Sequence, residues 1–169
     1  MAKSDSFFIR AELLSGSSFQ QKEIDLGAYV DALGKSVLRI HNVFVQVVNG
    51  TATNDYPSAG PDSTAYVQYQ LTTQSQSGVL RASDKSVIST GAYATARTGA
   101  SIGASFSSHD NDMLPQMWRN GYLVGVESIY FGAEDNGNFT VNPRIAIVME
   151  CTVESLSQSA AMALTLSQQ

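Results

Sequence analysis

At 169 residues the chain is long enough to bury a core without disulfides or bound metals, and it reads as one domain over residues 1–169. Only 15% of its residues are charged, against roughly a quarter in an average globular protein; polarity comes from Ser, Thr, Gln and Asn, a surface poorly protected against association. The net charge is -5 and the ten Lys and Arg are scattered, with only Lys3 and Arg10 among the first ten residues, which argues against binding nucleic acid by phosphate neutralisation.

Residues 7–14 alternate, with Phe7, Ile9, Ala11 and Leu13 on one parity and Arg10 and Glu12 on the other, and predict a first strand. Ser15-Gly16-Ser17-Ser18 is a turn, followed by a short strand over 19–24. Asp25 is placed to cap a short helix over 26–33, with Gly34 as its stop, although Gly27 weakens it. Residues 36–48 form a second dominant strand whose alternation slips: Leu38 and Ile40 share one parity, Val43, Val45 and Val47 the other. A β-bulge near His41-Asn42 puts both sets on the core side; a strand buried on both faces is the alternative.

Residues 49–63 hold Asn49-Gly50, Pro57, Gly60 and Pro61 and read as a surface loop. Residues 64–73 alternate again, Ala65, Val67, Tyr69 and Leu71 against Tyr66, Gln68 and Gln70. A polar connection over 75–86 has room for a short strand at Val79-Leu80-Arg81, and Val87-Ile88 starts another. Residues 90–108 are nearly all Gly, Ala, Ser and Thr, apart from Tyr93, Arg97, Ile102 and Phe106; such a segment buries little and is predicted to be mobile or to need a neighbour for order. Met113-Leu114-Pro115-Gln116-Met117-Trp118 is an apolar knot, and Arg119-Asn120-Gly121 turns the chain towards its last strands.

The cleanest period-two pattern runs over 141–154. Val141, Ile145, Ile147, Met149, Cys151 and Val153 fall on one face; Asn142, Arg144, Glu150, Thr152 and Glu154 fall on the other. Residues 122–131 predict another strand, and Asn136-Gly137 between the two suits a turn, so 122–154 is predicted to fold as one long antiparallel hairpin. After Glu154 the alternation stops. Ser155-Leu156-Ser157-Gln158 has the capping-box form and Ala160-Ala161-Met162-Ala163-Leu164 favours a C-terminal helix; a last strand with Met162, Leu164 and Leu166 on one face competes with it.

Chemistry is sparse. Cys151, the only cysteine, lies on the apolar parity and is expected to be an inert buried hydrophobe. His41 is expected to be structural, its ring hydrogen-bonded to backbone. His109-Asp110-Asn111-Asp112 could ligate calcium but lacks the full calcium-hand pattern, and the preferred reading is a solvated loop. Glu134-Asp135 reads as turn chemistry. Glu127 and Glu150, if on adjacent strands, could form the acid and base of a glycosidase, but outward carboxylates are usually solvated. Asn49-Gly50-Thr51 and Asn138-Phe139-Thr140 match the glycosylation sequon, read as coincidence because no signal-peptide core follows Met1. No apolar run reaches the ~18 residues of a spanning helix. No nucleophile elbow, phosphate loop or dinucleotide fingerprint is present, so neither an enzyme nor a cofactor, metal or small-molecule substrate is expected. Met113, Leu114, Met117 and Trp118 are the candidate subunit-contact patch, with packing beneath the following strands as the alternative.

Short strands parted by Gly, Pro and Asn turns predict an all-β sandwich or barrel. Residues 24–30 (Ile-Asp-Leu-Gly-Ala-Tyr-Val), residues 38–43 (Leu-Arg-Ile-His-Asn-Val), the long terminal strand and the Ala-rich tail together resemble the single jelly-roll major capsid proteins of icosahedral, membrane-containing viruses of bacteria and archaea. The resemblance implies a jelly roll of about eight antiparallel strands that self-assembles into an icosahedral shell, with no catalytic residues. It implies contacts with copies of itself, with other capsid proteins and with an underlying viral membrane. Localisation would be the virion, after synthesis in the host cytoplasm. The missing basic arm agrees with a genome held behind another layer. The competing readings are a jelly-roll carbohydrate-binding module or lectin, stacking sugars on Tyr66, Tyr93 and Trp118, and a phage tail or decoration protein.

Overall fold

The computed structural model describes residues 4–31, 35–52, 55–99, 106–110 and 119–169, with side chains for all of these except 106–110. Its longest strands are β3 (Ser36–Asn49) and β9 (Pro143–Ser155), which pair antiparallel along nearly their whole length. Around them lie β1 (Phe7–Leu14), β2 (Gln20–Asp25), β4 (Ser63–Thr72), β5 (Val87–Arg97), β6 (Phe106–Asp110), β7 (Tyr122–Val124) and β8 (Ser128–Asp135), and the chain ends in helix α1 (Gln158–Ser167).

The strands form two sheets, one in the order β1-β9-β3-β7 and one in the order β2-β8-β4-β5-β6, with every pairing antiparallel. The chain steps from one sheet to the other after β1, β2, β3, β6, β7 and β8. Leaving β6 aside, each sheet has four strands, and this wrapping is the strand order of a jelly roll. β6 widens the second sheet by an edge strand, so the described residues hold nine strands where about eight are predicted.

Period-two burial follows from the pleat. In β4, Ala65, Val67, Tyr69 and Leu71 are fully buried; in β9, Ile145, Ile147, Met149 and Cys151 face them across the core. The β3 register shifts between Ile40 and Asn42, which places Leu38, Ile40, Val43 and Val47 all inward. This is the predicted bulge at His41.

The predicted hairpin over 122–154 does not form. Residues 122–131 split into β7 in one sheet and the start of β8 in the other, and β8 pairs with β2 and β4 while β9 pairs with β1 and β3. Asn136-Gly137 does turn the chain, with Gly137 at φ +74°, but the turn leads across the core. Phe139 bridges to Ala59 and stacks on Tyr93, so this one aromatic anchors the otherwise exposed connection to the core. An Asn-Gly turn sets local backbone sign, not the strand to which the chain returns.

The helix predicted after Asp25 is only a turn in the described residues. The Leu26 carbonyl accepts from both Tyr29 N and Val30 N, Asp25 Oδ1 caps Gly27 N, and Asp31 N already bonds back to Ser36 O. One turn fixes several dihedrals for little hydrogen bonding and is not extended at Gly27. Residues 79–81 are not a strand either; the fully buried Gln70 holds that loop by accepting from Leu80 N and donating to Gly78 O. Residues 90–97 of the small-residue stretch lie in β5, where Gly91 leaves room for Tyr69 opposite, and Phe106 to Ser108 lie in β6. The C-terminal helix is present, but its cap is Ser157, whose hydroxyl accepts from Ala160 N, since Ser155 still belongs to β9.

Candidate assembly surface

The outward parity of the first sheet is less polar than a solvent face requires. Phe44 on β3 lies opposite Val148 on β9, which lies opposite Arg10 on β1; Phe8, paired with Glu150, is the diagonal neighbour. Phe44 is 62% exposed and Phe8 54% exposed, with the Arg10 guanidinium 5.6 Å from the centre of the Phe8 ring. The patch is flanked by an exposed pair in which Arg144 Nη1 donates to Glu12 Oε1 at 3.1 Å. The sign of this patch was present in the sequence: Phe8 and Phe44 stand on the polar parity of strands whose inward parity is already apolar.

Nearer the start of β3 the same face becomes a polar cluster. Arg39 Nε and Nη2 donate to the two oxygens of Glu154, each at 2.7 Å, and Nη1 donates to the Asn120 carbonyl. The paired carboxylate, as hydrogen-bond acceptor, raises the Arg39 pKa further, although partial burial opposes it. His41 Nε2 lies 2.8 Å from Thr152 Oγ1, so this ring nitrogen engages a side chain of β9. The cluster fastens β3, β9 and the turn before β7 together.

Helix α1 is joined to the β7 side of the sandwich by polar groups. Thr165 Oγ1 donates to Gly125 O, Gly125 N donates to Gln168 Oε1, and Gln168 Nε2 donates to Leu123 O. Thr73 Oγ1 and Gln74 Nε2 donate to Gln168 O, and Lys85 Nζ donates to Gln169 O. Gly125 lets the helix approach, since a Cβ there would lie 3.0 Å from Leu164. The inward positions are Ala161, Thr165 and Gln168, whereas Met162 and Leu166 point outward, 45% and 69% exposed.

The remaining expected site residues separate. Met113, Leu114, Met117 and Trp118 lie outside the described residues, as do Asn111 and Asp112, while His109 and Asp110 fall on β6. Glu127 precedes β8 in one sheet and Glu150 lies on β9 in the other, so they are not on adjacent strands and form no acid–base pair. Asp135 is a fastener: Oδ2 accepts from Ser15 Oγ at 2.6 Å and Oδ1 accepts from Gly137 N, tying two inter-sheet corners together. Cys151 is buried, and burial pushes its pKa up to about 12 with help from Glu150. Of the proposed sugar-stacking aromatics, Tyr66 is exposed, but Tyr93 is 1% exposed and donates to Pro57 O, so its ring is unavailable.

No family model and no curated protein matches the chain. Among solved structures it is similar to VP1 of Trichodysplasia spinulosa-associated polyomavirus in complex with GM1 oligosaccharide, at 8% identity and TM-score 0.49, over 89% of this chain and 96% of that one. It is also similar to VP1 of Merkel cell polyomavirus as an unassembled pentamer (8% identity, TM-score 0.43, 90% and 97% covered) and to Desmodium yellow mottle tymovirus (9%, 0.37, 89% and 85%). At identities and scores this low, the jelly-roll assignment rests on the strand order itself.

Proposed function

We propose that the chain is a structural coat subunit that associates with copies of itself into an icosahedral viral shell. The observation that carries the reading is a jelly-roll strand order whose first sheet keeps Phe8, Phe44 and Val148 on its outer side. A sandwich needs one apolar face per sheet; apolar side chains on the second face lower the energy only when something covers them. The 15% charged fraction points the same way. The acidic balance suits a shell facing a membrane or a further protein layer, as in membrane-containing viruses of bacteria and archaea, with other capsid proteins completing the particle. The patch at Met113, Leu114, Met117 and Trp118 is a second proposed subunit contact. The 1–169 span acts as one domain in this reading.

Multi-angle light scattering over a concentration series, followed by negative-stain microscopy of the large fraction, tests it. Rings, capsomers or shells are the expected result. A strict monomer that binds a specific glycan would replace the reading with a carbohydrate-binding module.

A further inference from the structure

Asparagine is followed by glycine three times, at Asn49-Gly50, Asn120-Gly121 and Asn136-Gly137. In such a pair no side chain on the second residue shields its main-chain nitrogen, which can attack the asparagine side-chain amide. Local sequence makes all three pairs prone to this reaction. The fold separates them.

Asn136 is held at both polar side-chain atoms: Oδ1 accepts from Tyr66 N and Asn138 N, and Nδ2 donates to Thr64 O. The nitrogen that would attack, Gly137 N, is itself tied to Asp135 Oδ1 at 2.8 Å. Asn49 ends β3, half-buried, and its Oδ1 accepts from Thr51 N and Thr51 Oγ1. Gly50 is pressed against the Asn142 carbonyl, with no room for a Cβ. Ring closure at either pair must break these hydrogen bonds or shift packed backbone.

Asn120 is exposed, and its one hydrogen bond among the described residues is through the main-chain carbonyl, which accepts from Arg39 Nη1. Gly121 follows at φ +71° in the turn before β7. We propose that Asn120-Gly121 is a self-modifying site, at which the native protein converts Asn120 to aspartate and isoaspartate. Gly121 N gives its proton to solvent and bonds to Asn120 Cγ. The Cγ–Nδ2 bond breaks, and the side-chain nitrogen takes a proton from solvent and leaves as ammonia. Water then opens the cyclic imide at either carbonyl. Nothing is oxidised or reduced, and water is the co-reactant.

Opening to isoaspartate routes the main chain through Cβ and Cγ, which adds one carbon to the turn. It also makes the carbonyl that Arg39 holds part of a free carboxylate. The turn has little slack: a Cβ on Gly121 would collide with Ile40 O, and Tyr122, the next residue, pairs with Ile40. The strand that follows, β7, is three residues long and lies at the edge of its sheet, and Leu123 O is a fastening point of α1. The longer turn therefore loosens β7.

The test follows the full chain in mildly alkaline buffer, native and in urea, by mass spectrometry of peptides from trypsin and a glutamate-specific protease. Cuts at Glu127 and Glu134 separate Asn120 from Asn136. In the native protein Asn120 is expected to convert about tenfold or more faster than Asn49 or Asn136, and the three rates should draw together in urea. Asn120→Gln should abolish the native conversion, because the larger ring closes far more slowly, while keeping the main-chain acceptor of Arg39. Amide exchange over 122–124 should be faster in the converted protein. Equal native rates at the three pairs, a native lead for Asn49 or Asn136, or no conversion at Asn120 would each overturn the assignment. The same ranking in urea would mean that flanking sequence sets the rates, and would overturn it as well. Unchanged exchange over 122–124 would overturn the effect on β7.

Discussion

Tyr69 on β4 lies directly over Gly91 on β5, so close that a Cβ at Gly91 would come within 2.4 Å of the Tyr69 ring. Tyr69 is fully buried, so any shift of its ring must be made within the core. Gly91→Ala therefore overpacks the core and should destabilise the fold by about 1–3 kcal/mol. Urea denaturation measures the loss. Tyr69→Leu in the same chain should recover part of it, because the smaller side chain gives the new methyl group space.

Arg39 and Glu154 form a two-point ion pair at the foot of β3. Their side chains are 16% and 7% exposed, so removing the carboxylate leaves a largely shielded cation short of its acceptors. Glu154→Ala is expected to cost about 1.5–3 kcal/mol, and Glu154→Gln less, because the amide oxygen still accepts one bond. Chemical denaturation midpoints of the two variants should rank in that order.

Gln168 is the main fastener of α1, joining it to Gly125, Leu123 and Tyr122. Gln168→Ala should free the helix without unfolding the sandwich. Hydrogen exchange would show faster amide exchange over 158–167 and little change in β3 and β9.

Cys151 should resist thiol reagents in the native protein and react at once when the chain unfolds. Its ordinary pKa of 9.0 is raised to about 12, chiefly by burial. The folded state holds this proton more tightly, so its contribution to stability is full below about pH 9 and is lost as the pH rises towards 12. Burial also raises the pKa of Tyr93 and Tyr122, which steepens the alkaline fall. Cys151→Ala should flatten the slope of stability against pH in this window, at about 1.4 kcal/mol per pH unit for the one proton. Comparing slopes separates the effect from the cost of the lost sulfur.

Within single strands, much of this structure is legible from period two alone. Ala65 to Leu71 and Ile145 to Cys151 show their inward face without ambiguity, and the slip between Ile40 and Val43 locates the bulge. What period two does not encode is the sheet to which a strand belongs. Residues 122–131 read as one strand because Tyr, Leu, Val and Ile continue past Gly125, yet the chain changes sheets at 125–127. Likewise β5 looks featureless because its small residues serve their neighbours: Gly91 makes room for Tyr69. The candidate surface was legible as a misfit, Phe8 and Phe44 on the polar parity. The docking of α1 was not, because only the docked helix shows that Ala161, Thr165 and Gln168 face in.

The most direct test of the coat-subunit reading is electron cryomicroscopy of the concentrated full chain, with its capsid partners if it needs them. The account predicts closed, symmetric particles into which the jelly roll fits, with the outer side of the β1-β9-β3-β7 sheet covered by a neighbouring copy. Dispersed monomers under all these conditions, or particles in which Phe8 and Phe44 face open solvent, would contradict it.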